Sequence, residues 1–393
     1  MRLLIVAMPN SIHTARWISQ IHDQGWDIFL FPAYIAQPHP RLKNITAFGA
    51  TLQKKNLKEA HIRLIWWTIP FFWVDRIISK LKGTTTLFYT AKLLSIIIRW
   101  LQPDIVHSLE IQHAGYLTLD ARENLKDTFP TWIVTNWGSD IYLFGRLAGH
   151  KPKIEAVLSY CDYYSCECQR DIALAKELGF TGETLPVFPN TGGFNLEKMM
   201  FLRGSESPAT RRIILLKGYQ NWAGRALVGL QALRQCADLL QGYTIAISVA
   251  SQDVQIAAEL FSQDTEIPIE IIPFVEHDEM LRYYAQSRIY IGLSISDAIS
   301  TSLLEAIVMG TFPIQSCTAC ADEWIEDGKS GFIVPPEEPN AIADAIRRAL
   351  TDDNLVNRAA EINAQTATER LDYSNIQAQV IKIYKDIYDS GKE

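Results

Sequence analysis

The stretch Asp297-Ala-Ile-Ser-Thr-Ser-Leu-Leu-Glu305 decides how this chain is read. It follows the apolar run Ile289-Tyr-Ile-Gly-Leu293, which has the length and composition of a buried strand. It opens a run of helix formers that Gly310 ends, as a glycine does at a helix C-terminus. The order is therefore strand, loop, helix. A helix start offers unpaired backbone N–H groups and the positive end of a dipole, and so suits a phosphate. Ser300, Thr301 and Ser302 add hydroxyls where helix caps are favoured. Asp297 and Glu305 flank this cradle, and a carboxylate accepts two hydrogen bonds from a vicinal diol. Ser302-Leu-Leu-Glu305 equally fits a capping box, in which Glu305 reaches back to the helix start. Locally, both readings stand.

The same alternation extends outward. Short apolar runs at residues 213–217, 244–249, 269–273, 289–293, 312–315 and 332–334 are each followed by a helix or loop pattern. Upstream, runs at 3–7, 26–31, 104–108, 132–135 and 163–166 repeat it, with a helix expected from Thr14 to about Gln24. Parallel strands joined by crossover helices follow, with ligands at the strands' C-terminal edge. Between residues 182 and 208 the periodicity fades through Pro-Val-Phe-Pro-Asn-Thr-Gly-Gly, which predicts an interdomain linker. The domains are expected at 1–195 and 210–373, with a final helix at 374–393 crossing back to the first. Two such domains facing each other make a cleft.

A chain of 393 residues exceeds one comfortable core, which agrees with two domains. The net charge of −7 argues against general nucleic-acid binding, which draws on clustered cations. The opening Met1-Arg-Leu-Leu-Ile-Val-Ala-Met8 is too short an apolar run for a signal peptide, and the run at 62–74 contains Arg63 and Pro70. A cytoplasmic protein without a transmembrane anchor is expected, with the inner face of the membrane as a candidate place of work. The six scattered cysteines do not form a disulfide framework. Cys317-Thr-Ala-Cys320 lacks a second pair at ligand spacing and reads as two thiols rather than a metal site.

Over most of residues 211–388 the chain resembles glycosyltransferase family 4, the glycosyl transferases group 1. The resemblance is carried by Ile271-Ile-Pro-Phe-Val275, His277-Asp-Glu-Met-Leu281 with Tyr284, and the acid-x7-acid stretch. Ala-Ile-Val-Met-Gly-Thr-Phe-Pro-Ile-Gln-Ser after Glu305, Glu323, and Gly328-Lys-Ser-Gly-Phe-Ile-Val-Pro-Pro336 complete it. It implies the GT-B fold, two Rossmann-like domains across a cleft. It also implies a nucleotide-diphosphate sugar as co-substrate, retention of anomeric configuration, and neither a metal nor a cofactor. Glu305 then holds the nucleotide ribose and Asp297 the donor sugar's hydroxyls. Backbone groups near Ile299, Ser300 and Thr301 meet the diphosphate or sugar, and Val275 lies beside the base. Asp297 stands where the family most often has Glu. Lys217-Gly218-Tyr-Gln-Asn-Trp-Ala-Gly-Arg225 supplies the cations that stabilise the leaving diphosphate, Arg225 first and Lys217 second. A solvated surface charge is the alternative for each.

The first half matches less closely. His13 and Arg16 sit at the turn after the first strand, where a local structural role is the competing reading. The loop Asp104-Ile-Val-His107-Ser-Leu-Glu110-Ile-Gln-His113 resembles the family's loop with a histidine against the donor sugar, and His107, Glu110 and His113 are its candidates. In Asn136-Trp-Gly-Ser-Asp140, Trp137 or Asp140 is a candidate for meeting the acceptor, with a buried Trp as the simpler reading. Residues 54–100 carry nine basic and two acidic side chains among Trp66, Trp67, Phe71, Phe72 and Trp73. That composition suits an interface with anionic lipid, or equally a helical insertion packed on its own aromatics. The expected function is a retaining glycosyltransferase acting on a glycan or lipid-linked acceptor. A sugar-nucleotide epimerase or hydrolase of the same fold, or a catalytically silent carbohydrate-binding protein, are its rivals.

Overall fold

The structure, a computed structural model, describes residues 1–51, 61–83, 87–125 and 129–392. It separates into two compact units, Met1–Gly192 with Ser374–Glu393, and Gly193–Tyr373. Each is built on a wholly parallel sheet with helices on both faces.

The first unit holds β1 (Arg2–Ala7), β2 (Asp27–Pro32), β3 (Thr46–Phe48), β4 (Arg63–Ile65), β5 (Ile105–Leu109), β6 (Thr131–Thr135), β7 (Tyr163–Ser165) and β8 (Glu183–Thr184). Their order is β4-β3-β2-β1-β5-β6-β7-β8. Along β1 every side chain from Leu3 to Ala7 is fully buried, because successive residues feed opposite faces. Leu3, Ile5 and Ala7 join helix Ile12–Ser19 and the C-terminal helix Tyr373–Ser390, while Leu4 and Val6 join Phe31, Phe72 and Leu94. Each such aliphatic contributes about 1.5–3 kcal/mol on burial. The C-terminal helix presents Ile376, Val380, Tyr384 and Ile387 at helical spacing to this core.

The second unit holds β9 (Ile213–Lys217), β10 (Thr244–Ser248), β11 (Ile269–Ile272), β12 (Ser287–Gly292), β13 (Phe312–Ser316) and β14 (Phe332–Val334), ordered β11-β10-β9-β12-β13-β14. In both sheets the strand order reverses once beside the first strand, between β1 and β5 and between β9 and β12. Loops diverge at such a switch point and leave a crevice at the carboxyl edge.

Three strands are absent from the sequence pattern, β3, β4 and β8, each of two or three residues. The first helix stops at Ser19, not near Gln24, and residues beyond it form turns. The segment expected as a linker contains helix Leu196–Arg203, whose single buried residue, Met199, leaves little apolar signal. None of the six cysteines, all of them described, is in a disulfide. Cys320 is buried and Cys317 exposed.

Candidate functional site

At the β9/β12 switch point, two loops from neighbouring strands are laced together. Gly224 bridges Ser294, the Arg225 amide donates to the Leu293 carbonyl at 3.1 Å, and the Ile295 amide to the Ala223 carbonyl at 2.9 Å. The first loop turns at Gly218, whose amide donates to the Ser248 carbonyl at 2.7 Å. A Cβ there would lie 2.7 Å from that oxygen and 2.8 Å from the Ala250 Cα, so only glycine fits. The second loop delivers the helix Thr301–Met309, with Ser300 as N-cap and Gly310 closing it at φ 69°.

The Ser300 side chain makes no capping bond. Its Oγ accepts instead from Lys217 Nζ at 3.2 Å. The first intrahelical bond runs from the Leu303 amide to the Ser300 carbonyl, so the amides of Thr301 and Ser302 precede the helical ladder. A lysine ammonium, two hydroxyls and the dipole's positive end thus meet at one place. Ile299 and Ala298 are buried beneath it, and half-buried Asp297 turns its Oδ1 to the Ala298 amide at 3.0 Å. Tyr219 shares the edge. Burial first, then the Asp297 charge, push its phenol up from the ordinary value, and its ring lies 5.0 Å from Lys217 Nζ.

Glu305 resolves the ambiguity left by the sequence. With Ser300 as the cap, the capping-box position falls on Leu303. Glu305 lies a half-turn deeper, buried, and its Oε1 pairs with His277 Nε2 at 2.7 Å. His277 opens the helix His277–Gln286 just after Val275. The sequence reading assigned it no role, although its place two residues beyond Val275 was the available signal.

Arg225 is placed differently from Lys217. Its guanidinium meets the carbonyls of Asn221, Ala223 and Gly224 at 3.0–3.3 Å and pairs with Glu337 at 2.7 Å. It braces its own loop. A cavity of about 490 Å³ lies along the carboxyl ends of β9, β10 and β11, lined among others by Tyr219, Asn221, Ser251, Pro273 and Phe274. Half-buried Val275 follows Phe274 in the chain.

The first unit gathers its own group at the β1/β5 switch point. Glu110 adopts φ 83°, a conformation costly for a non-glycine residue. Its buried carboxylate accepts from the His113 amide (2.8 Å), the Ala114 amide (3.3 Å) and His113 Nδ1 (3.0 Å). Asp140, also buried, accepts from the amides of Ile111 and Trp137 at 3.0 and 2.9 Å. Burial, then the neighbouring Glu110, raise its pKa. These two carboxylates fix loops. The exposed group is His113, whose pKa is raised chiefly by its bond to Glu110. Tyr34, from the loop after β2, meets the His113 ring at 5.5 Å, and His13 lies 5.3 Å from half-buried Trp137. Half-buried Arg16 lies near His39, where burial first and then Arg41 and Arg16 lower the histidine's pKa.

His107 leaves the list of candidates. It is wholly buried between the Tyr384 hydroxyl at 2.6 Å and Thr135 Oγ1 at 2.7 Å, and burial depresses its pKa to about 3. Side chains alternate along β5, and residue 107 points into the sheet's helical cover, away from the edge.

Known proteins resemble both units. The family described as "Glycosyl transferases group 1" matches residues 257–366, and "Glycosyl transferase 4-like" matches residues 53–163. The phosphatidyl-myo-inositol mannosyltransferase of Mycobacterium leprae is 31% identical over 91 residues, covering 23% of this chain and 24% of that protein. The chain thus aligns with about a quarter of that relative's length. Among solved structures, sucrose-phosphate synthase from Thermosynechococcus elongatus superposes with a TM-score of 0.70 at 15% identity, covering 99% of this chain and 100% of that one. The Anabaena protein HepE, solved with UDP-glucose, gives 0.69 at 15% identity, covering 98% and 100%. These structural likenesses establish the fold.

Proposed function

We propose that this chain, which resembles the glycosyl transferases group 1 and has the GT-B fold, moves a sugar from a nucleotide-diphosphate sugar to a glycan or lipid-linked hydroxyl. The observation that carries this reading is the convergence of Lys217, Gly218, Ser300 and the helix start at Thr301 beside two carboxylates. In this reading the diphosphate lies against the amides of Thr301 and Ser302. Glu305, already oriented by His277, takes the ribose diol, and Asp297 takes hydroxyls of the sugar. The cavity beside Tyr219 and Phe274 receives the base, with Val275 beside it.

The reaction is read as retaining. The bond from the anomeric carbon to the phosphate oxygen breaks, and the acceptor hydroxyl attacks the same face. Its proton passes to the departing diphosphate. Charge grows on that diphosphate, and a fixed cation in a partly dry site lowers the barrier. Lys217 is assigned this role ahead of Arg225, because its ammonium meets Ser300 at the cradle while Arg225 is spent on its own loop and Glu337. With lysine and helix dipole supplying positive charge, no metal and no cofactor is called for. His113 and the His13–Trp137 pair are assigned to the acceptor side. The acceptor is placed at the inner face of the membrane.

A thermal-shift series over UDP-, GDP-, ADP- and dTDP-sugars tests the donor site, since a ligand selective for the native state raises its melting point. At least one donor should raise it, and none doing so would refute the assignment. With that donor, NMR of the product should show an unchanged anomeric configuration, and turnover should survive EDTA. Change of the donor without an acceptor would indicate an epimerase or hydrolase.

A further inference from the structure

Helices on a protein surface ordinarily turn polar side chains outward and apolar ones inward, whereas the pair Ile69–Lys82 and Phe88–Leu101 exposes large apolar side chains among its cations. On the first, the exposed Trp73, Val74, Ile77 and Leu81 share their face with Arg76 and Lys80. On the second, the exposed Phe88, Tyr89, Ile96 and Trp100 share it with Lys92 and Arg99. No exposed position described on either helix is acidic. The one acid, Asp75, is buried, where its carboxylate accepts from the amides of Tyr89 and Thr90 at 3.1 and 2.7 Å and locks the helices together.

A cavity of about 350 Å³ lies beneath this face, lined by Tyr34, Phe72, Asp75, Arg76, Leu87 and Thr90 among others. Tyr34 links it to the site edge, since its ring also meets His113. Arg76 stands at its outer side, 5.1 Å over the Trp73 ring.

We propose that this helical pair is a docking surface for an anionic phospholipid bilayer, and that the cavity under it admits the bilayer-side portion of a membrane-held acceptor. Large aromatics among cations, without anions, match the boundary between acyl chains and negative headgroups. At 14 residues each, neither helix is long enough to span. A second copy fits this face poorly, because a two-fold contact sets the cations of one copy, Arg76, Lys80, Lys92 and Arg99, against those of the other with no exposed acid described on either helix to offset them. The word acceptor rests on the glycosyltransferase reading. The docking surface does not.

Flotation of the full chain with phosphatidylcholine vesicles, with and without about one third phosphatidylglycerol, tests the inference. The wild type should float with the anionic vesicles alone. A Trp73→Gln/Ile77→Gln/Trp100→Gln variant should lose about tenfold or more of the bound fraction. Removing Arg76, Lys80 or Lys92 should cost about fivefold per cation, the loss easing at high salt. Equal melting temperatures would show the variants folded. The surface is overturned if the wild type floats with neither vesicle, if the variants float equally, or if the wild type is a dimer that the apolar variant dissociates. Flotation without any donor-induced thermal shift would leave the surface standing and sink the glycosyltransferase reading instead.

Discussion

Two switch points, one per sheet, use their carboxylates in opposite ways. At β9/β12, Glu305 is engaged through Oε1 alone by a single imidazole among the described residues, and lies behind a helix start that still has amides to give. At β1/β5, Glu110 already receives two amides and an imidazole, and Asp140 two amides. The first arrangement holds polar groups ready for a ligand. The second uses its acids to shape loops and leaves His113 as the exposed chemical group. A buried carboxylate at a sheet edge is therefore a site candidate only once its existing partners have been counted.

The contrast is broken most directly at Glu305. Glu305→Ala should lower sugar-nucleotide turnover by about 10³-fold, two charge-assisted hydrogen bonds being worth about 1.5–3 kcal/mol each. Its melting point should stay close to wild type. Near-normal turnover would remove the donor site from this loop.

The two cations come next. Lys217→Ala should reduce kcat by about 10²-fold with little change in melting point. Arg225→Ala should instead lower the melting point, because it strands three carbonyls and Glu337. The reverse pattern would restore Arg225 as the diphosphate's cation.

His107 sharpens the distinction between edge and core. Its folded pKa of about 3 lies below the ordinary 6.5, so the unfolded chain takes up the proton first as pH falls. Its contribution is complete above pH 6.5 and is lost as acid drives the pH toward 3, by about 1.4 kcal/mol per unit. Chemical denaturation of His107→Gln should show a correspondingly flatter loss of stability between pH 6 and 4. An identical slope would mean that His107 is not buried neutral.

The smallest effect concerns His113. NMR titration should find its pKa above the ordinary histidine value in the wild type and lower in Glu110→Gln, where the accepting charge is gone. No change between the two would separate the imidazole from that carboxylate.

The β9/β12 site was far more legible than the β1/β5 site, for a physical reason. Strand, loop, cap and helix from residue 287 to 310 are consecutive, and a phosphate cradle is made mainly of backbone, so local spacing describes it. His277 escaped because its partner is 28 residues away and histidines on helices are common. At β1/β5 the group comes from four separate segments, contributing His13, Tyr34, His113 and Trp137. His107 and His113 look alike in sequence, and only the strand's alternation, ending at Leu109, separates core from edge.

The sequence by itself determined the alternating strands and helices, a helix start within residues 300–302 and the family resemblance. Each depends on neighbours within a few residues or on a fixed order of them. Tertiary structure alone decided that Glu305 meets His277 rather than its own helix start, that Lys217 and not Arg225 reaches Ser300, and that His107 belongs to Tyr384. It also decided that the aromatics of the 69–101 pair face outward. Composition records how much apolar surface a segment has, and packing decides which side of it is covered.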